Sequence, residues 1–222
     1  MTPDEILKSL FDETLIGNAP RVLELTQLGL DTGMEPETML FEALIPSLEE
    51  VGARFERGDF FVPEMLIAGK AMAGALEILR PLLAETGART VGTFLMSTVK
   101  GDVHDIGKNL VNIMLEGAGF TVYDLGVNVA PEKFVEQIQE HEPDIVGFSA
   151  FLTTTMPMFK ANINAIEKAG LREKVIVMVG GAPVTKEYAD AVGADGYAAD
   201  ASTAVRLAKE LIEQHRREPA AV

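Results

Sequence analysis

The sequence predicts an α/β protein in two parts, a four-helix bundle followed by a Rossmann-like or flavodoxin-like doubly wound sheet of five parallel strands. Two observations carry this. Through the first ~86 residues, apolar side chains recur at spacings of three and four, as one face of a helix requires. Beyond them, short apolar runs alternate with amphipathic segments, the strand–helix alternation of a parallel sheet covered on both faces.

Residues 4–17 and 20–32 read as amphipathic helices separated by Gly17-Asn18-Ala19-Pro20. Leu40, Leu44, Leu48, Val51 and Phe55 form one stripe, and Pro36 lies near the start of that helix, where its missing N–H costs nothing. Met65, Met72, Leu76, Leu79 and Leu83 form the next stripe, opened by Pro63. Four helices with short connections make a small antiparallel bundle. Glu85-Thr86-Gly87-Ala88-Arg89 lacks apolar periodicity and marks a boundary. Strands are then expected at 90–96, 121–124, 144–148, 175–179 and near Gly196. Helices are expected from Asp105, Pro131, Thr154 and Thr185 and over 202–214. The expected domains are 1–87, helical, and 88–216, Rossmann-like, with 217–222 and the preceding Arg216 as a loose tail. No internal repeat or low-complexity segment interrupts this plan.

The chain has 222 residues and no cysteine. Disulfides, a thiolate nucleophile, thiolate-bound iron–sulfur clusters and the common structural zinc sites are therefore excluded. No basic segment followed by an apolar stretch opens the chain, and no apolar run reaches the ~18 residues that span a bilayer. A soluble cytoplasmic protein without membrane contact is expected. The net charge of −15 argues against nucleic acid, which demands clustered Lys and Arg. The acidity reads as a solvated surface, or as a field that favours docking onto basic partner proteins.

Doubly wound sheets bind ligands at the carboxyl ends of their strands, so the loops there matter most. The loop after the first strand reads Ser97-Thr98-Val99-Lys100-Gly101-Asp102-Val103-His104-Asp105-Ile106-Gly107-Lys108-Asn109 and holds one of three histidines. A neutral imidazole ligates borderline transition metals, and a ligating imidazole usually donates its other N–H to a carboxylate. Asp102 is placed for that role, and Gly107 would let a bulky planar cofactor approach the backbone. A loop histidine between aspartates is equally an ordinary surface residue. His141 and His215 read as solvent-exposed, which leaves no local two-histidine metal site.

Asp-x-His-x-x-Gly, here Asp102, His104 and Gly107, resembles the signature of base-off/His-on cobalamin-binding domains. Forty-one residues lie between Gly107 and Ser149, and Gly180-Gly181 follows the fourth strand, both as in that family. One departure stands out. The usual Ser-x-Leu is here Ser149-Ala150-Phe151, with Leu152 one place later. The resemblance implies that His104 is the lower axial ligand of cobalt and that Asp102 supports it, the two forming the catalytic pair. It implies a corrinoid bound along Val103, Asp105, Ile106, Phe151, Leu152 and Thr153. Its displaced benzimidazole tail would lie in a slot beside the sheet, lined by Ser149, with Gly180 and Gly181 leaving room for the nucleotide. From the residues alone, paired glycines equally suit a tight turn. Thr153-Thr154-Thr155 equally supplies an ordinary helix N-cap, with Thr155 the candidate for a bond to Asp102 or the corrin edge.

The segment from Val51 to Met65, with its Phe60-Phe61-Val62-Pro63-Glu64-Met65, is similar to the helical cap of methionine synthase and of small corrinoid proteins in anaerobic methyl transfer. There the bundle covers the methyl-bearing side of the corrin. Phe61 and Met65 are the candidates here, although a methionine at helical spacing is as readily core packing. The resemblance spans about residues 1–214 and implies a free-standing carrier, non-catalytic alone. A substrate-specific methyltransferase would pass a methyl cation to Co(I). A second methyltransferase would take it from methyl-Co(III) to tetrahydrofolate or coenzyme M, and a reductive activator would restore Co(I). A cobalamin-dependent regulator would add a DNA-binding module, which is missing. A mutase subunit would share the histidine loop without this cap, and a doubly wound domain lacking corrinoid is the remaining reading.

Overall fold

The computed structural model describes residues 1–86 and 90–217. Gly87, Ala88 and Arg89, at the expected boundary, and 218–222, in the expected tail, lie outside the described residues. The chain forms two compact units, Met1–Thr90 with Ile113–Gly119, and Val91–Asn112 with the chain from Phe120 onward.

In the helical unit, α1 (Pro3–Leu15) opens with a capping box. Glu5 N donates to the Thr2 hydroxyl at 3.3 Å and Thr2 N to the Glu5 carboxylate at 2.8 Å, which satisfies two free donors of the first turn. α2 (Ala19–Asp31) follows. The single helix expected from Pro36 is instead α3 (Pro36–Met39), a π turn (Leu40–Leu44) and α4 (Ile45–Glu56). Pro46 has no N–H to give the preceding turn, and its ring crowds the carbonyl four residues back. The helix widens there, with Ile45 N bonding Leu40 O, and runs on rather than ending. Leu40, Leu44, Leu48 and Val51 are buried as the stripe predicts, while Phe55 is only half-buried. α5 (Val62–Thr86) buries Met65, Met72, Leu76 and Leu79, with Ala68, Ala71 and Ala75 between them.

The sheet unit carries β1 (Thr93–Thr98), β2 (Thr121–Asp124), β3 (Ile145–Ser149), β4 (Ile176–Gly180) and β5 (Gly196–Ala198), all parallel, in the order β2-β1-β3-β4-β5. This is the flavodoxin-like arrangement. α6 (Ile106–Gly117), α7 (Pro131–His141), α8 (Pro157–Lys168), α9 (Lys186–Val192) and α10 (Ala201–Arg217) connect or follow the strands. One face of the sheet, with Leu95, Val146, Phe148, Val177 and Val179, packs on Phe134 and Ile138 of α7 and on Phe159, Ile163 and Ile166 of α8. On the other face, the positions of Gly92 and Gly196 are closed by Ile212, Leu207 and Leu211 of α10.

Three local expectations change. Arg216 and Arg217 belong to α10, because Ala204, Ala208 and Ile212 carry a buried stripe that far and Arg217 pairs with Glu213 one turn back. His141 is half-buried rather than exposed, its ring stacked on Tyr123 at 4.0 Å between centroids. α8 begins at Pro157 instead of Thr154, since residues 153–156 are committed to a turn.

Candidate cofactor-binding site

β1 has β2 on one side and β3 on the other, so the chain leaves these neighbouring strands in opposite directions and opens a crevice at their carboxyl ends. The loops after β1 and β3 meet there on one side chain. Asp102 has no exposed surface, yet its carboxylate has five donors around it. Oδ1 accepts from His104 N at 3.1 Å and stands 2.7 Å from His104 Nδ1. Oδ2 accepts from Phe151 N at 2.8 Å, Leu152 N at 3.1 Å and the Thr155 hydroxyl at 2.8 Å. Thr155 is also 2.8 Å from Leu152 O, and its one proton favours the charged acceptor. Burial alone would raise the Asp102 pKa. The bonds from His104, Phe151 and Thr155 outweigh it and hold the carboxyl well below the usual carboxylate range.

The geometry sets the histidine tautomer. An ionised carboxylate only accepts, so Nδ1 of the neutral ring carries the proton and Nε2 keeps its lone pair. Among the described residues Nε2 has no partner, and the His104 side chain is 45% exposed. Phe151 stacks on the ring at 4.4 Å between centroids with 26° between planes, which fixes its rotation. The residue that departs from the family's leucine therefore acts as a plate behind the imidazole.

Two supporting residues escaped the sequence reading. Thr98, buried at the end of β1, donates its hydroxyl to His104 O at 3.0 Å. Asn128, in the loop after β2, accepts from Gly101 N at 2.8 Å and donates its own N–H to Asp102 O at 2.9 Å. It does so from a left-handed backbone, φ 56°, a conformation that asparagine tolerates better than most residues. An asparagine two places beyond Gly126 was the only local signal. Nearby, the buried Lys108 pairs with Asp124 and bonds Asn109 at 2.7 Å.

Around His104 the structure gathers exposed apolar side chains that water does not favour, Val103, Ile106, Phe151 and Leu152. Asp105 is half-buried and Thr153 exposed. Gly107 lies in α6, and a Cβ there would meet nothing within 4 Å. Glycine inside a helix costs about 1 kcal/mol against alanine, and the protein's own packing gives no reason for it at this position. Ser149 ends β3, half-buried. Gly181, at φ 129°, is required by the fold itself, because a Cβ would come within 1.9 Å of Ala150 O. A Cβ at Gly180 would stand 3.0 Å from Ala198 O. In the helical unit Phe61 is 63% exposed, whereas Met65 has no exposed surface. Met65 is accordingly corrected to core, since a fully covered side chain presents nothing to a ligand.

Among the described residues no three metal-ligating side chains cluster. Fold and site define a flavodoxin-like protein that presents one imidazole, held from behind by a buried carboxylate, among exposed apolar side chains at the switch point of its sheet.

Comparison with known proteins agrees. A B12 binding domain family matches residues 92–206, and a second B12 binding domain family matches residues 6–80. The dimethylamine corrinoid protein of Methanosarcina barkeri is 40% identical over 96% of this chain and 100% of its own length. The methanol:cobalamin methyltransferase complex from Methanosarcina barkeri superposes with a TM-score of 0.84 at 28% identity, over 95% of this chain and 80% of that one. A cobalamin-binding protein from Desulfitobacterium hafniense DCB-2 gives 0.70 at 29% identity, over 92% and 97%. The chain belongs to the B12-binding corrinoid proteins of methyltransferase systems, and its cofactor is cobalamin or a related corrinoid. No helix among the described residues is long and apolar enough to cross a membrane.

Proposed function

We propose that this chain is a methyl carrier that receives a methyl group from a donor-specific methyltransferase and presents it to a second methyltransferase acting on tetrahydrofolate or coenzyme M. The corrinoid supplies a cobalt that is nucleophilic when reduced and holds a methyl group when oxidised by two electrons. In this reading His104 Nε2 would be the protein's ligand to that cobalt. The observation that carries it is the Asp102 clamp, which fixes the tautomer with Nε2 free and aims it outward. Asp102 and Thr155 would hold the ring with its proton at Nδ1, so that Nε2 is the atom offered to the cobalt.

Val103, Ile106, Phe151 and Leu152 hold the apolar rim of the macrocycle, Gly107 lets it approach α6, and Thr153 lies at the polar edge. Ser149, Gly180 and Gly181 are the contacts assigned to the nucleotide. Phe61 is carried as the exposed phenyl that a helical cap would bring to a methyl–cobalt bond, excluding water from it. The donor class favoured is a methylamine, on 40% identity over the full length of a dimethylamine corrinoid protein. A reductive activator and a cytoplasmic location complete the reading, because reduced cobalt needs a reductant to restore it. The test begins with protein loaded with cobalamin, reduced by titanium(III) and methylated with methyl iodide. On addition of a corrinoid-dependent methyltransferase for tetrahydrofolate or for coenzyme M, one equivalent of methyl is expected to reach one of the two acceptors. Transfer to neither would overturn the carrier assignment.

A further inference from the structure

The face of the sheet that meets α10 is graded in a way that only the strand register reveals. Residues paired across parallel strands point to the same side. At the carboxyl rim the row is Thr98, Ser149, Gly180 and Ala198, in which nothing exceeds threonine in size. The row below is Met96, Gly147, Met178 and Gly196, flexible thioethers alternating with glycines. The row below that is stiff and bulky, with Phe94, Ile145 and Ile176. At ~3.3 Å per residue, this floor lies about 13 Å beneath the rim, the reach of a nucleotide with its two-ring base.

The middle row is closed by the methionines themselves. Met96 is 6% and Met178 3% exposed. The Met96 sulfur lies 2.5 Å from where a Cβ of Gly147 would stand, and Met178 Cγ 3.1 Å from that of Gly196. Each thioether thus lies over its neighbouring glycine. Methionine has three rotatable bonds, fills irregular space and makes favourable sulfur–aromatic contacts, so this row can yield to an aromatic group where a β-branched row could not. Ser202 Oγ, four residues beyond Ala198 at the start of α10, is buried without a partner, an unmet polar group at the same end of the sheet.

Resting on the reading that His104 takes the lower position on cobalt, which leaves cobalamin's own base displaced, we propose that Met96 and Met178 form the yielding wall that admits this base. They select for an aromatic base of benzimidazole size, taken in along the Thr98–Ser149–Gly180 rim and stopped by the Phe94 row. The test compares methylcobalamin with methylcobinamide, which lacks the nucleotide and base. Met96→Ile and Met178→Ile, each stiff at Cβ, are each expected to weaken methylcobalamin binding about tenfold while methylcobinamide affinity stays within about twofold. Unchanged methylcobalamin affinity, or an equal loss for both corrinoids, overturns the proposal. Methylcobinamide binding also reports folding of each variant. Should a variant not fold, the unmodified protein decides through 13C-methyl methionine resonances. Those of Met96 and Met178 are expected to shift with methylcobalamin and to stay in place with methylcobinamide, and the opposite result overturns the wall. Failure of the His104 reading is separately visible. Protein with 15N-labelled histidine, loaded with Co(II) cobalamin, would show the cofactor's own base rather than histidine nitrogen in its EPR spectrum.

Discussion

The two ends of the sheet offer different things. At the amino end, Ile138, Glu142, Pro143, Leu171, Lys174 and Val175 help line a cavity of about 520 Å³. Among the described residues, its polar side chains Gln139, Glu142 and Lys174 make no hydrogen bond or ion pair, so nothing converges on the space. The carboxyl end instead gathers donors from two loops around one buried carboxylate and leaves one ring nitrogen free. Function follows convergence of positioned groups rather than volume. The comparison breaks if substitutions at the amino end disturb corrinoid binding, or if those at the carboxyl end do not.

Asp102→Ala is the largest expected disturbance. It leaves the N–H groups of Phe151 and Leu152, the Thr155 hydroxyl and the His104 ring without their acceptor, and should cost about 3 kcal/mol in urea unfolding of the corrinoid-free protein. The sign of its pH dependence follows from the lowered pKa. A carboxyl depressed in the folded state contributes its full stability above the unfolded value near 3.9, and loses it as the pH falls below that value toward the folded one. The gap between wild type and Asp102→Ala should therefore narrow between pH 5 and pH 2. A gap that widens on acidification would contradict the clamp.

His104→Ala separates ligation from architecture. The substitution removes one of the five donors to the buried Asp102 carboxylate, so about 1 kcal/mol of unfolding stability should be lost while the fold is kept. The histidine nitrogen should nevertheless vanish from the EPR spectrum of the Co(II) form. A retained histidine signal would remove His104 from cobalt.

What the sequence disclosed at this end was local, and what it concealed was distant. Asp102 and His104 stand two residues apart, a separation at which a side chain reaches its neighbour whatever the fold. Thr155 was named as a candidate partner of Asp102 through the resemblance, and it reaches Asp102 because β1 and β3 are adjacent, a fact of strand order that spacing alone does not contain. Thr98 and Asn128 were hidden, since their partners are fixed by register and by a left-handed turn. The glycine pair was legible as a feature, but the fold's reason for Gly181 is the Ala150 carbonyl. In the helical unit the apolar stripes marked the helices and gave no means of dividing a stripe between core and ligand, which is where Met65 was misplaced. The π turn is a local answer to Pro46 that a regular 3.6-residue period cannot express.

Thr155→Val keeps the shape of the side chain and removes one of the five donors. About 1 kcal/mol of stability should be lost. Four donors still hold the carboxylate, so the histidine nitrogen should persist in the EPR spectrum of the Co(II) form. Unchanged stability would remove the Thr155 hydroxyl from the clamp.

The smallest effect is expected at the amino end and has the opposite sign. Glu142 caps α7 in a left-handed conformation, φ 44°, which costs a residue with a Cβ about 1–2 kcal/mol. Glycine removes that strain but gives back roughly 0.5–1 kcal/mol in chain entropy. Glu142→Gly should therefore raise the unfolding free energy by up to about 1 kcal/mol, read as a shift in the urea midpoint with no change in slope. Cobalamin affinity should not move, because the substitution alters the wall of the amino-end cavity and touches none of the groups that converge around Asp102. A fall in affinity would mean that the amino-end cavity communicates with the cofactor, and that convergence alone does not define the site.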